Sequence, residues 1–122
     1  MSFMANILLV DDLAFVKVVE KDILEKNGHK VVGDASNGNT AVSLYEELKP
    51  DLVIMDITMP EVNGLEALER ILKINGSARV IMCSALGQQN LIVDAIEKGA
   101  KDFIVKPFKA ERLLSAINKA LH

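Results

Sequence analysis

The chain alternates, five times over, between a short, mainly apolar run and a longer segment whose apolar residues recur at helical spacing. The runs lie at residues 5–10, 30–33, 52–55, 79–83 and 102–105. An apolar run without polar alternation is how a strand covered on both faces reads. The intervening segments read as helices over about 14–27, 40–48, 64–75, 88–98 and 109–121. In the first of them Phe15, Val18, Val19 and Ile23 share a face, and Asn27-Gly28 is a stop. Asn37-Gly38-Asn39-Thr40 is turn-like and suited to cap the second helix, which ends before Pro50. Strict strand–helix alternation requires parallel strands, right-handed crossovers and helices on both sheet faces.

A doubly wound sheet of five parallel strands reverses its strand order once, and the flavodoxin-like order 2-1-3-4-5 puts the reversal between the first and third strands. Those two strands run into Asp11-Asp12 and Asp56. The fourth delivers Ser84 and the fifth Lys106-Pro107. The expected fold is therefore an α/β domain with four strands ending in polar groups on one edge, where open sheets of this kind hold ligands.

Composition narrows the function. At 122 residues the chain has the length of one domain. It should expose roughly 6,400 Å² folded, against roughly 19,000 Å² unfolded, enough burial for a core without staples. The net charge is −3 and no basic stripe occurs, which argues against a nucleic-acid partner. Cys83 is the only cysteine, which fits a reducing cytoplasm. No apolar run reaches 18 residues, so no membrane span is expected, and the opening Met1-Ser2-Phe3-Met4-Ala5-Asn6 lacks a basic leader. Met4 is a second candidate start.

Three carboxylates gathered in one crevice repel. At about 5 Å and an effective dielectric near 20, each pair costs about 3 kcal/mol. Protons, a lysine or a hard cation must offset this, and oxygen ligands in a small open cluster suit Mg²⁺. Lys106 supplies a compact cation and Ser84 a hydroxyl donor. One reaction uses all these parts: Asp56 attacks a phosphoryl group and becomes an aspartyl-phosphate, while Mg²⁺, Lys106 and Ser84 stabilise its oxygens. In that reading Asp12 holds the metal directly and Asp11 through water, with Asp56 and the Thr58 backbone carbonyl completing the ligands.

At Asp11-Asp12, Asp56 with Met59-Pro60 and Gly64, Ser84-Ala85 and Lys106-Pro107, the sequence resembles the receiver domain of two-component response regulators. The likeness covers about residues 5–121, and residues 83–89 with 99–108 look most like stand-alone chemotaxis regulators. The resemblance implies a single receiver unit over 1–122, a core at about 5–121 and no output domain. It implies a cytoplasmic signalling switch, not an enzyme with a separate substrate, that catalyses its own Mg²⁺-dependent phosphorylation and slow dephosphorylation. A sensor histidine kinase would donate the phosphoryl group. Ser84 would move toward it, and Phe103, at the family's aromatic switch position, would swing into the vacated space. The face formed by the fourth helix, fifth strand and fifth helix would then engage a downstream protein, in chemotaxis the flagellar motor switch. Lys106-Pro107 resembles the family's cis peptide. Leu86, two residues past Ser84, cannot hydrogen-bond a hydrolytic water, so self-dephosphorylation should be slower than with Glu or Gln there.

Each residue also has a plainer reading. Asp11-Asp12 alone is more often a turn, Ser84 a cap and Phe103 core, and Lys106 alone is as often a solvated strand end as a functional cation. Cys83, Met55, Met59 and Met82 read as packing, and His29 and His122 as exposed. Three rivals use the same fold or chemistry. A flavodoxin-type cofactor binder needs a phosphate loop where Asp11-Asp12 would repel phosphate. A small phosphatase needs a second acid where Asp56-Ile57-Thr58 offers threonine. A phosphorelay intermediate fits as it stands.

Overall fold

The computed structural model describes residues 4–59, 61–85 and 87–122. Five strands alternate with five helices: β1 (Asn6–Val10), α1 (Ala14–Lys26), β2 (Lys30–Ala35), α2 (Gly38–Leu48), β3 (Leu52–Asp56), α3 (Gly64–Ile74), β4 (Val80–Ser84), α4 (Gln89–Glu97), β5 (Asp102–Val105) and α5 (Ala110–Leu121). The strands pair in parallel, in the order β2-β1-β3-β4-β5.

Side chains on a strand alternate between faces, so each apolar run feeds two cores at once. Leu8, Val10, Val53, Met55, Val80 and Met82 pack with Ala41, Ala67, Leu68, Ile71 and Ala95, from α2, α3 and α4. Ile7, Leu9, Leu52, Ile54, Ile81 and Cys83 pack with Leu24, Leu113, Ala116 and Ile117, from α1 and α5. That double coverage is why the runs lack polar alternation. The exposed surface is 6587 Å², close to the size expected from chain length.

The elements start and stop on local chemistry. Asn37 and Asn63 each accept a hydrogen bond from the backbone N–H three residues on, at 2.9 and 3.0 Å, capping α2 and α3. Gly28 and Gly99 end α1 and α4 with φ of +88° and +110°. Strand β2 runs two residues past its apolar stretch, to Ala35, because pairing with β1 continues through Leu9↔Asp34 and Val10↔Ala35 after a bulge opposite Ile7 and Leu8. Strand β4 starts at Val80 rather than Arg79 and includes Ser84, which pairs with Val105.

One helix face departs from expectation. Phe15 is 78% exposed and Val18 66%, and Val19 is exposed too, whereas α1 buries Glu20 and Leu24. The apolar stripe singled out in the sequence thus faces mostly outward. The buried stripe is offset from it, along Glu20 and Leu24, four residues apart on one side of the helix.

Candidate functional site

The reversal of strand order parts the chain after β1 and β3, and both strands deliver their acids there. Asp11 is 1% exposed. Its Oδ1 accepts a 2.9 Å hydrogen bond from the Leu13 N–H and its Oδ2 one of 2.5 Å from Lys106 Nζ. Its own N–H donates to the Ala35 carbonyl at 3.0 Å, fixing the strand end. Asp12, next along, is exposed.

Asp56 closes β3 and is buried, its backbone paired to Cys83. The following turn is clamped where Gly64 N–H donates to the Ile57 carbonyl at 2.8 Å. A Cβ at Gly64 would stand 2.2 Å from the Asp56 carbonyl oxygen, so only glycine allows this approach. Ser84, buried at the end of β4, accepts a 2.9 Å backbone hydrogen bond from Lys106 N–H. The Lys106-Pro107 peptide is cis.

These strand ends meet. Asp11, Asp12 and Asp56 each offer an oxygen within 4.8 Å of the others, a group that could hold a metal ion. Lys106 Nζ lies 3.4 Å from Asp56 Oδ1 as well as on Asp11. A cavity of about 410 Å³ opens over them, lined by Asp12, Leu13, Asp56, Thr58, Ser84, Ala85 and Lys106. The donor set is all oxygen, with one lysine, which fits a hard divalent cation and gives no soft ligand for others.

Electrostatics follow from the crowding. Burial pushes the Asp56 carboxyl above its ordinary value, Lys106 pulls it back and Asp11 adds to the rise. For Lys106 burial works against the ammonium, but the Asp11 hydrogen bond and the Asp56 charge outweigh it and the pKa is raised. The lysine is charged and bridges two acids, one of the offsets the cluster needs.

The sequence-predicted residues Asp11, Asp12, Asp56, Thr58, Ser84 and Lys106 all come together at this edge. Phe103 is buried in the core on the α4 side of the sheet, as its plainer reading expects. A phenyl ring has no hydroxyl to hold it in water, and burial is its lower-energy place. Cys83, Met55, Met59 and Met82 are packing residues, as expected. His29 is half-buried rather than exposed, because its Nδ1 accepts a 3.1 Å hydrogen bond from Ala5 N–H. Pro60 and Leu86 lie outside the described residues, as do Met1, Ser2 and Phe3.

One ionisable residue escaped the sequence reading. Glu20 is 2% exposed, and burial, then Asp11, raises its pKa from 4.5 to about 8. Its signal was present: Val16, Glu20 and Leu24 recur every fourth residue, placing a carboxyl in line with a core leucine.

The chain belongs to the response-regulator receiver family: the model of the response regulator receiver domain matches residues 7–118. Among its relatives, it is 60% identical to the chemotaxis protein CheY of Bacillus subtilis, over 96% of this chain and 98% of that one. It is 55% identical to CheY of Thermotoga maritima, over 93% and 95%. A solved CheX–CheY–BeF3–Mg complex from Borrelia burgdorferi contains a chain that superposes with a TM-score of 0.93 at 37% identity, covering 96% of this chain and 89% of that one. The protein is thus a signalling switch of the chemotaxis response-regulator type, and the flavodoxin-type and phosphatase readings fall away. Among the described residues, no helix is long and apolar enough to cross a membrane.

Proposed function

We propose that Asp56 is the phosphoacceptor of this switch. The observation that carries the proposal is the position of Lys106, whose ammonium bridges Asp11 and Asp56 at the mouth of a cavity lined by Ser84 and Thr58. A phosphohistidine of a sensor kinase donates: its N–P bond breaks, an Asp56 Oδ–P bond forms, and the imidazole leaves. Lys106 is placed to turn from Asp56 toward a phosphoryl oxygen while keeping Asp11. Ser84 supplies a hydroxyl to a second oxygen. Asp12, Asp56 and the Thr58 carbonyl would hold Mg²⁺, with Asp11 acting through water. When bound, the metal neutralises charge on the equatorial oxygens. With those parts on one chain, the protein catalyses its own phosphorylation by donors and its slow dephosphorylation.

The phosphorylated state is read by a protein. Val93 and Ile96 on α4 and Val105 on β5 are exposed apolar residues on neighbouring elements, which supports the α4–β5–α5 face as the output surface. Likeness to chemotaxis proteins makes the flagellar motor switch the first target to test. Phosphotransfer from a kinase places the protein in the cytoplasm, working as one receiver unit.

The test is incubation with acetyl phosphate and Mg²⁺, read by intact mass. Wild type gains one phosphoryl group and Asp56→Asn gains none. Removing Mg²⁺ with a chelator abolishes the gain. Phosphorylation of Asp56→Asn to the wild-type extent would overturn the assignment.

A further inference from the structure

The loop from β3 to α3 is gripped by two glycines, and one of them lies outside the acidic cavity. Gly64 presses the far end of the loop against the Asp56 backbone. Gly38, the first residue of α2, meets it at Val62. Gly38 N–H donates to the Val62 carbonyl at 3.0 Å. A Cβ at Gly38 would stand 2.3 Å from that carbonyl oxygen, 2.6 Å from Val62 Cγ1 and 2.7 Å from Val62 Cβ. Helix α2 has little room to back away. Asn37 caps it, Ala41 is fully buried, and Asn39 Oδ1 accepts a 3.0 Å hydrogen bond from Arg70 of α3. The loop is the weaker side of the contact. Glu61, just before Val62, has a φ of +63°, a left-handed conformation that a residue with a Cβ keeps only where its surroundings impose it. The same loop carries Thr58 to the acidic cavity.

We propose that Gly38 is a positioning residue for the divalent cation: by seating Val62 it holds the loop that presents Thr58 to the metal. The inference rests on the reading of Thr58 as a Mg²⁺ ligand and deepens it. It puts part of the control of metal affinity in α2, which contributes no residue to the cavity lining. The proposed ligands differ in how they are fixed. Asp56 belongs to a strand and is paired to Cys83. Thr58 lies past the strand end, so its place depends on what packs behind the loop. A Cβ at Gly38 must open the contact with the Val62 oxygen by about 0.7 Å, from 2.3 to 3.0 Å. A ligand constellation tolerates only about 0.5 Å of misplacement. Support of a ligand from behind is worth about 10–100-fold in metal affinity.

The test is a Mg²⁺ titration of the full, unphosphorylated chain, read by NMR at the amides of Asp12, Asp56 and Ala85. Gly38→Ala is expected to raise the Kd about tenfold. In the metal-free variant, amide shifts are expected to concentrate at Thr58, Glu61 and Val62 and to spare Tyr45 and Glu47 on α2. Acetyl phosphate labelling is expected to need more Mg²⁺ for half-saturation while its plateau rate is retained, a split that general loosening of the fold would not produce. Gly76→Ala, where an added Cβ meets nothing within 4 Å, is expected to keep the wild-type Kd. Val62→Ala keeps the hydrogen bond and removes Cγ1, so a smaller loss in the same direction is expected, and this variant decides the matter where Gly38→Ala does not fold. An unchanged Kd in the deciding variant, or an equal loss in Gly76→Ala, would overturn the proposal. Wild type that binds no Mg²⁺ overturns the metal reading together with this inference. Wild type that binds it no better than Gly38→Ala overturns the inference alone.

Discussion

Helices α1 and α3 each follow a strand that ends on acid, and they spend their apolar residues in opposite ways. Helix α3 begins at a side-chain cap on Asn63 and buries Ala67, Leu68 and Ile71. Its first residue, Gly64, presses against the Asp56 backbone. Helix α1 begins at Leu13 with no side-chain cap, buries a glutamate and one leucine, and turns Phe15, Val18 and Val19 outward. The difference separates two duties. The third helix fixes the strand that carries Asp56 in place, and the first offers surface beside it. An amphipathic stripe therefore marks where apolar contact is wanted, and not that the same chain supplies it.

The largest expected effect tests that contrast directly. Leu68→Ala removes a fully buried side chain and should cost about 2–5 kcal/mol in urea unfolding, whereas Phe15→Ala should change stability by no more than about 0.5 kcal/mol. Equal losses would mean that α1 is as much a part of the core as α3.

Glu20 gives the next effect, through pH. Its folded pKa of about 8 lies above the ordinary 4.5, so between those values the folded chain keeps a proton that the unfolded chain has released. Stability should therefore fall as pH rises from about 4.5 to about 8, by an amount on the order of a few kcal/mol. Metal-free denaturant midpoints of wild type and Glu20→Gln across that window measure it. The variant should lack this share of the decline, and parallel curves would show that the carboxyl is ionised throughout.

A smaller effect sharpens the account of α3. Gly64→Ala brings a Cβ to 2.2 Å from the Asp56 oxygen and 2.8 Å from Ile57 Cα, both backbone atoms. The turn must shift, at a cost of about 1–3 kcal/mol. Acetyl phosphate labelling should slow even where the variant is fully folded, because the same shift moves Asp56, the proposed nucleophile. Unchanged labelling would mean that Asp56 is positioned by β3 alone.

Much of this was legible in the sequence because two signals coincide at each strand end. An apolar run with no alternation marks a strand with two covered faces, and the polar residue after it marks the exit. Asp11, Asp56, Ser84 and Lys106 all stood at such junctions, and strand order then brought them together. What was not legible depends on partners. Residues Asp34 and Ala35 carry no strand signature, and pairing with β1 extends β2 through them. The exposure of Phe15 and Val18 follows from which side of α1 meets the sheet, and helical spacing allows two neighbouring choices there. Choosing the wrong one hid Glu20, since a glutamate in the first helix otherwise reads as solvated.

The sheet has two free margins, and neither invites another chain to extend it. On one side β2 is kinked by its bulge and carries Lys30 and Asp34, so an added strand would lose register and meet charge. On the other, β5 is only four residues long, and Arg112 from α5 grips both Asp102 oxygens and the Phe103 carbonyl there. A switch that must meet and leave its partners repeatedly is thereby spared irreversible growth by strand addition, even when crowded.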